Sequence, residues 1–380
     1  MKSRMVRRSL LICVAAGLAA LAGFASSGCG APAEASASAS PRVEATAPAT
    51  LAVNGRLLVV RSDSGTWRVE RITPSSGDEE ALATLPFRPH QALASPSRTS
   101  VLYVGAGRRL AVLDAATGAV RPIALDAYPI RSIDGVTWTS DAQVLFGGSR
   151  RAYADPEYSS LYKADVASGS VSRFRGLQGG EPSYAAQKGS LIYVTRRSPA
   201  RAPFPQTGLS NDYVKTTIRL LRSLSAKHAS TLTSDVAYID AGRSFNTPLL
   251  SPDGKLILSA HTGTDVSVTY SLLDVGFLGL EFLTSYGPSW DVAAWGGQRV
   301  AFLQAAAPLS EGKLAVFVYD EADGSLNRYT SAVIGQLDWS PDGDLVAGPG
   351  WNSGDVYASA AGALGTWVDF GAGWVPMWVP

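Results

Sequence analysis

Short apolar runs recur along the chain, and each begins or ends at a cluster of turn residues. The clearest pair is Leu250-Ser-Pro-Asp-Gly-Lys-Leu-Ile-Leu and Trp339-Ser-Pro-Asp-Gly-Asp-Leu-Val-Ala. Each predicts a strand, a tight turn and a second strand. Pro pre-sets the first turn residue, Asp bonds the local backbone, and Gly accepts a positive φ. The same register returns in degenerate form at Ala94-Ser-Pro-Ser-Arg-Thr-Ser-Val-Leu-Tyr, Trp138-Thr-Ser-Asp-Ala-Gln-Val-Leu-Phe, Ala186-Gln-Lys-Gly-Ser-Leu-Ile-Tyr and Trp295-Gly-Gly-Gln-Arg-Val-Ala-Phe. A second signature, Asp-x-x-x-Gly, stands downstream at Asp114–Gly118, Asp165–Gly169 and Asp320–Gly324. It predicts further hairpins whose Gly takes the left-handed position. Read as calcium loops, these segments have too few oxygen ligands.

The turn positions Ser95, Ser140, Gln187, Ser251, Gly296 and Ser340 lie 45, 47, 64, 45 and 44 residues apart. A period in the forties with four short strands per unit is the signature of a β-propeller. The 64-residue interval holds an insertion. The stretch Gly373-Trp-Val-Pro-Met-Trp-Val-Pro380 reads as the first strand of a unit cut off at its turn. Leu51-Ala-Val-Asn-Gly-Arg-Leu-Leu-Val-Val60 starts at a turn and runs into a second strand. Joined in space they complete one shared blade, which hides the edges of an open array. The expectation is therefore all-β: a seven-bladed β-propeller over residues 51–380, with the shared blade closed by the C-terminal strand. Trp138, Trp295, Trp339 and Trp378 occupy one register at the end of the first strand, which predicts packing between blades and not sugar stacking.

This motif set resembles the TolB-like, WD40-like β-propeller repeat family, common in bacterial extracytoplasmic proteins. The resemblance covers residues 51–380 and is most specific at Ser251–Gly254 and Ser340–Gly343. It implies the propeller fold and a place outside the cytoplasm. No extra N-terminal α/β domain is legible, so the role of TolB beside a peptidoglycan-associated lipoprotein is not carried over.

The first fifty residues break the pattern. Lys2, Arg4, Arg7 and Arg8 precede an apolar, small-residue run from Ser9 to Phe24 and then Ser26-Ser27-Gly28-Cys29. This order predicts a secretory signal over residues 1–28, too short for a spanning helix. Gly28-Cys29 resembles a bacterial lipobox, which makes Cys29 the lipidation site and anchors the protein to a membrane. Cys13 lies in the leader, so Cys29 would be the only cysteine left. Arg7-Arg8 also permits the twin-arginine route beside general secretion. Residues 29–50 carry an Ala/Ser/Pro-rich stretch with few large side chains, a flexible tether.

Charge narrows the function classes. The whole chain has 33 basic and 32 acidic residues, net +1; without the leader it has 29 and 32, net −3. Broad electrostatic capture of nucleic acid is excluded on that balance. Candidate chemistry lies where insertions interrupt the repeat between second and third strands, at Arg150–Tyr158 in the third blade and Arg196–Tyr213 in the fourth. Together they offer Arg150, Arg151, Arg196, Arg197 and Arg201 with Tyr153, Tyr158, Phe204 and Tyr213. Arg with aromatics on neighbouring loops suits a recognition surface, and Arg forks suit carboxylates and phosphates. His90, His228 and His261 are far apart, and a pair of them with Asp265 is the weaker, metal-binding alternative. The sequence reading is a monomeric, cofactor-free, non-enzymatic binding or scaffolding protein that contacts an envelope protein or an anionic envelope component. The alternative is an envelope hydrolase or lyase acting on a carbohydrate or lactone, although no Gly-x-Ser-x-Gly elbow is present.

Overall fold

The structure, a computed structural model, describes residues 55–152, 157–200, 213–238, 245–262, 268–275, 280–285, 293–305, 314–330, 336–349, 354–360 and 367–380. The leader, the tether and Cys29 lie outside the described residues.

The described residues form seven antiparallel sheets of four strands, and the chain folds as a seven-bladed β-propeller. Blade 1 places Trp374–Val379 innermost, followed outward by Arg56–Asp63, Thr66–Thr73 and Asp78–Leu85. Arg56 pairs with Val379, Leu57 with Trp378, and Leu58 with Met377, so the C-terminal strand closes the ring as the sequence predicts. Blades 2 to 7 follow in chain order. Their innermost strands are Pro89–Ala94, Ser132–Ser140, Gly180–Ala185, Phe245–Leu250, Ala293–Gly296 and Asp338–Trp339.

Every blade is covered on both faces, which explains why second strands read as unbroken apolar runs. Period-two alternation then sends successive side chains to opposite neighbours. Leu57 and Val59 pack with Leu345 and Ala347 of blade 7, whereas Leu58 and Val60 pack with Val101 and Tyr103 of blade 2. Similarly, Val101 faces blade 1, and Leu102 faces Val136 and Phe146 of blade 3. The core is thus a set of apolar clusters between blades, not one central mass.

The Ser-Pro-Asp-Gly turns form as their chemistry requires. The Ser251 hydroxyl donates to Asp253 at 2.7 Å and accepts from the backbone of Leu256 at 3.0 Å, while Gly254 adopts φ +73°. The Asp-x-x-x-Gly segments are turns between third and outer strands. Asp114 accepts from the Thr117 backbone at 2.8 Å and from its hydroxyl at 2.9 Å. These bonds, the backbone one first, hold the Asp114 carboxyl below its usual range.

The tryptophan register does more than fill space. The indole N–H of Trp138 donates to the carbonyl of Leu93 at 3.0 Å, Trp295 to Leu249 at 3.3 Å, and Trp339 to Ala294 at 2.9 Å. Each bond runs to the inner strand of the preceding blade. At the closure the pattern changes. Among the described residues the Trp378 indole N–H has no partner, and its backbone N–H donates to the Asp338 carboxylate at 2.7 Å. Arg98, in the turn position that Gly254 and Gly343 hold elsewhere, adopts φ +59°. Its guanidinium donates to Asp338 at 3.0 Å and to the Trp378 carbonyl at 2.9 Å. The Gln336 side-chain amide accepts from the Ala92 backbone N–H at 2.8 Å and donates to the Ala92 carbonyl. Blades 7 and 2 therefore grip the closing strand from both sides.

Candidate functional site

In this topology the links between blades and the loops between second and third strands share one face, called here the upper face. The turns between first and second strands define the lower face. Blade 3 makes its second-to-third connection after Gln143–Ser149 and before Ser159–Asp165. The foot of this connection is fixed by buried serines. Ser132 donates to the Arg151 carbonyl at 3.0 Å, the Arg151 N–H donates to the Ser149 hydroxyl at 3.1 Å, and the Arg150 N–H donates to the Tyr158 carbonyl at 3.2 Å. On the other side, Ser159 donates to the buried carboxylate of Asp134 at 2.8 Å. Gly180 packs so closely there that a Cβ would lie 1.9 Å from that carboxylate oxygen.

This fixed backbone presents Arg151 and Tyr158 together. The guanidinium lies 4.3 Å above the ring, and Tyr158 is 36% exposed, one of the two large exposed apolar side chains among the described residues. Neither Arg150 nor Arg151 makes an ion pair among the described residues. Such a cation–π pair orients the guanidinium without neutralising it. Tyr153 lies outside the described residues.

Blade 4 differs in form from the loop that its sequence suggests. Its inner strand last pairs at Gly180 with Val194, yet the second strand continues from Ser190 to Ala200 and the third returns from Tyr213 to Leu221. Thr195, Arg196 and Arg197 pair with Thr217, Thr216 and Lys215, so both arginines stand on a rigid hairpin that rises beyond the inner strand. Arg197 is exposed, whereas Arg196 is half-buried. Tyr213 opens the returning strand opposite Ala200; Arg201 and Phe204 lie outside the described residues.

The cationic character extends further round the ring than the insertions alone indicate. In blade 1, Arg88 lies 5.3 Å from the Trp67 ring and 5.6 Å from the Trp374 ring, and the two indoles meet edge to face at 5.4 Å. In blade 2, Arg108 and Arg109 stand on the second-to-third turn, and Arg131 closes the link to blade 3. Arg131 is bound through its N–H to the Ser149 carbonyl at 2.8 Å, which sets it beside Arg150. The upper face of blades 1 to 4 thus carries an arc of arginines. The sequence signal for Arg88, Arg108, Arg109 and Arg131 was weak, because they sit in short links of ordinary length.

Several carboxylates on the lower face are tied into turns. Asp141 is held below its usual range, first by the backbone N–H of Ser97 in the neighbouring blade and then by its hydroxyl. The Ser168 hydroxyl, then its N–H, does the same for Asp165. Among the described residues no group of three His, Cys, Asp or Glu side chains could hold a metal ion. His90 lies on the inner strand of blade 2 and His261 on the second strand of blade 5, three blades away.

No family model matches the chain, and no curated protein sequence matches it. Solved structures do share its architecture. An oligogalacturonate lyase in complex with manganese aligns at a TM-score of 0.54 and 12% identity, over 84% of this chain and 86% of that one. The β-propeller domain of the trilobed protease from Pyrococcus furiosus aligns at 0.50 and 12% identity, over 84% and 95%. That domain is described as an open velcro topology; here Trp374–Val379 closes the ring. TolB from Acinetobacter baumannii aligns at 0.46 and 14% identity, over 85% and 82%. At these identities the likeness is one of fold, and function has to be argued from the site.

Proposed function

We propose that the protein is an extracytoplasmic binding or scaffolding propeller, lipidated at Cys29, whose upper face engages an anionic component of the cell envelope without transforming it. The observation that carries this reading is the Arg151–Tyr158 pair. Its backbone is fastened by Ser132 and Ser149, and its charge is left available. A surface built to present cations on rigid supports loses little conformational entropy when it binds. The attachment point agrees with this use. The chain joins the propeller at Gly55 and Arg56, beside Val379, which is on the lower face. The arginine arc is on the other face.

Capture from detergent-solubilised envelope, by the intact protein and by an Arg150→Ala, Arg151→Ala, Arg197→Ala variant, tests the reading. These three side chains are exposed, so each substitution should change stability by no more than about 0.5 kcal/mol. Recovery of an anionic component should fall at least tenfold, and raised salt should mimic the loss, because exposed charges are screened. Equal recovery by both proteins would overturn the binding role. In the same preparation the mass of the N-terminal peptide should include acyl chains on Cys29; a free thiol there would remove the anchor. Turnover of an envelope carbohydrate or lactone by the purified protein would favour the rival hydrolase or lyase reading.

A further inference from the structure

Within the same arginine arc, a second feature lies next to the Arg151–Tyr158 pair that carries that reading but does not include it. Three segments of blade 2 and its links enclose an open cleft of about 930 Å³: Pro86–Phe87, the turn at Ala106–Arg109, and the link from Pro122 to Arg131. Ligand sites commonly fall between about 300 and 1,000 Å³. We infer that this cleft is a docking site for an extended acidic segment of a partner polypeptide.

Charge is the first argument. Arg108, Arg109 and Arg131 border the cleft, and Asp126 is its one carboxylate. Asp126 is already engaged, with an oxygen 2.6 Å from the Arg108 guanidinium. Arg109 and Arg131 are exposed and make no ion pair among the described residues. Two guanidinium forks without an ion pair on one cleft suit carboxylates or phosphates.

The rest of the lining selects the kind of acid. Apart from Asp126 and the arginines, every lining side chain is Pro, Ala, Leu, Ile or Phe, or the residue is Gly. A sugar chain would bring many hydroxyls, and the only polar side chains of the lining are the three arginines and Asp126, so most hydroxyls would find no side-chain partner there, and unsatisfied polar groups are costly to desolvate. A stacking platform for a sugar ring is also missing from the lining, since its one aromatic, Phe87, is 6% exposed. Leu110 and Ile130 are each 1% exposed, so the floor is packed shut and offers no tunnel for an acyl chain. An extended peptide meets the remaining requirements. Its acidic side chains reach Arg109 and Arg131, and its small apolar side chains lie against exposed Pro86, Pro122 and Ala124.

The walls are preorganised. Gly107, at φ +74°, accepts at its carbonyl from the Ile133 N–H at 3.0 Å, which ties the turn to blade 3. The link is held by Tyr128, whose N–H donates to Leu125 at 3.1 Å and whose hydroxyl donates to the Val171 carbonyl. Gly105 lets the Phe87 ring lie where a Cβ would come within 2.4 Å of it. Rigid walls reduce the ordering cost of binding.

Fluorescence anisotropy with the full chain tests the site. The probe is a labelled ten-residue peptide of alternating Glu and Ala, with an alternating Gln and Ala peptide as control. An oligogalacturonate and vesicles containing phosphatidylglycerol are competitors. The Glu peptide should bind, the Gln peptide should not, and neither competitor should displace it at equal charge. Arg109→Ala with Arg131→Ala should weaken binding at least tenfold while leaving the circular dichroism spectrum and melting curve unchanged. Arg109→Lys with Arg131→Lys keeps the charge and should retain part of the affinity. The Arg150→Ala, Arg151→Ala, Arg197→Ala protein should bind the peptide within about twofold of the unaltered chain. No binding of the Glu peptide would overturn the site, as would tighter binding of either competitor. Loss of binding in the triple variant but not in the double one would return the interaction to the Arg151 rim and overturn it equally.

Discussion

Trp339 illustrates how one side chain joins two blades. It is fully buried, its ring lies against Gly296 of blade 6, and its N–H satisfies the Ala294 carbonyl. A Cβ on Gly296 would come within 2.4 Å of that ring, so the glycine is part of the same contact. Trp339→Phe keeps most of the apolar area but leaves the carbonyl without its donor. Urea denaturation should show a loss of about 1–3 kcal/mol, the range for an orphaned buried polar group. Trp339→Ala should cost about 3–5 kcal/mol, as large aromatic truncations do. A Phe variant as stable as the unaltered protein would mean that the bond contributes nothing beyond packing. The packing role of this residue was legible in the sequence, because a turn fixes its register. The bond itself was not, because it depends on how close the preceding blade lies.

At the scale of elements, the closing strand is held by side chains from the blades on either side. Arg98 takes a left-handed conformation that the equivalent glycines adopt without strain, and reaches Asp338 across 240 residues of sequence. Read along the chain, Arg98 is only a degenerate repeat position; its role exists only once the ring has closed. The same holds for Gln336 and its backbone pair at Ala92. Burial pushes the Asp338 carboxyl above its ordinary value, and Arg98 opposes that shift. A carboxyl raised in the folded state contributes stability below its unfolded value of about 3.9, and that contribution is lost as pH rises through the folded value. Arg98→Met removes the opposing charge and raises the folded value further. The variant should therefore lose about 3–5 kcal/mol near neutral pH, as broken buried pairs do. Its deficit against the unaltered protein should be smaller at about pH 4.5 than at about pH 7.5, where the uncompensated carboxylate must be buried charged. Equal deficits in urea denaturation at the two pH values would show that Arg98 acts through packing alone.

For the whole molecule, the repeat spacing was enough to set the number of blades, because turn chemistry is local and recurs. The cleft in blade 2 was not legible, since its walls come from three short segments whose paths only the assembled ring defines. Ring closure is the one feature that requires both ends of the propeller at once. Deleting Gly373–Pro380 removes the inner strand of blade 1, leaves the Arg56–Asp63 strand with an open edge, and separates Arg98 and Asp338 from Trp378. It also removes buried Val375, Met377, Trp378 and Val379 from the contacts with blades 2 and 7. Loss of a single core Trp costs about 3–5 kcal/mol. For a chain of this size each kcal/mol moves the midpoint by about 2–4 °C or somewhat less. The truncated protein should therefore melt at least about 10 °C lower by differential scanning calorimetry, or aggregate through the freed edge. Adding back a synthetic peptide of residues 373–380 should recover part of that loss, since the groove between blades 7 and 2 already carries its partners. A truncation with an unchanged midpoint would mean that the ring is held by blade-to-blade packing alone and that the closing strand is dispensable.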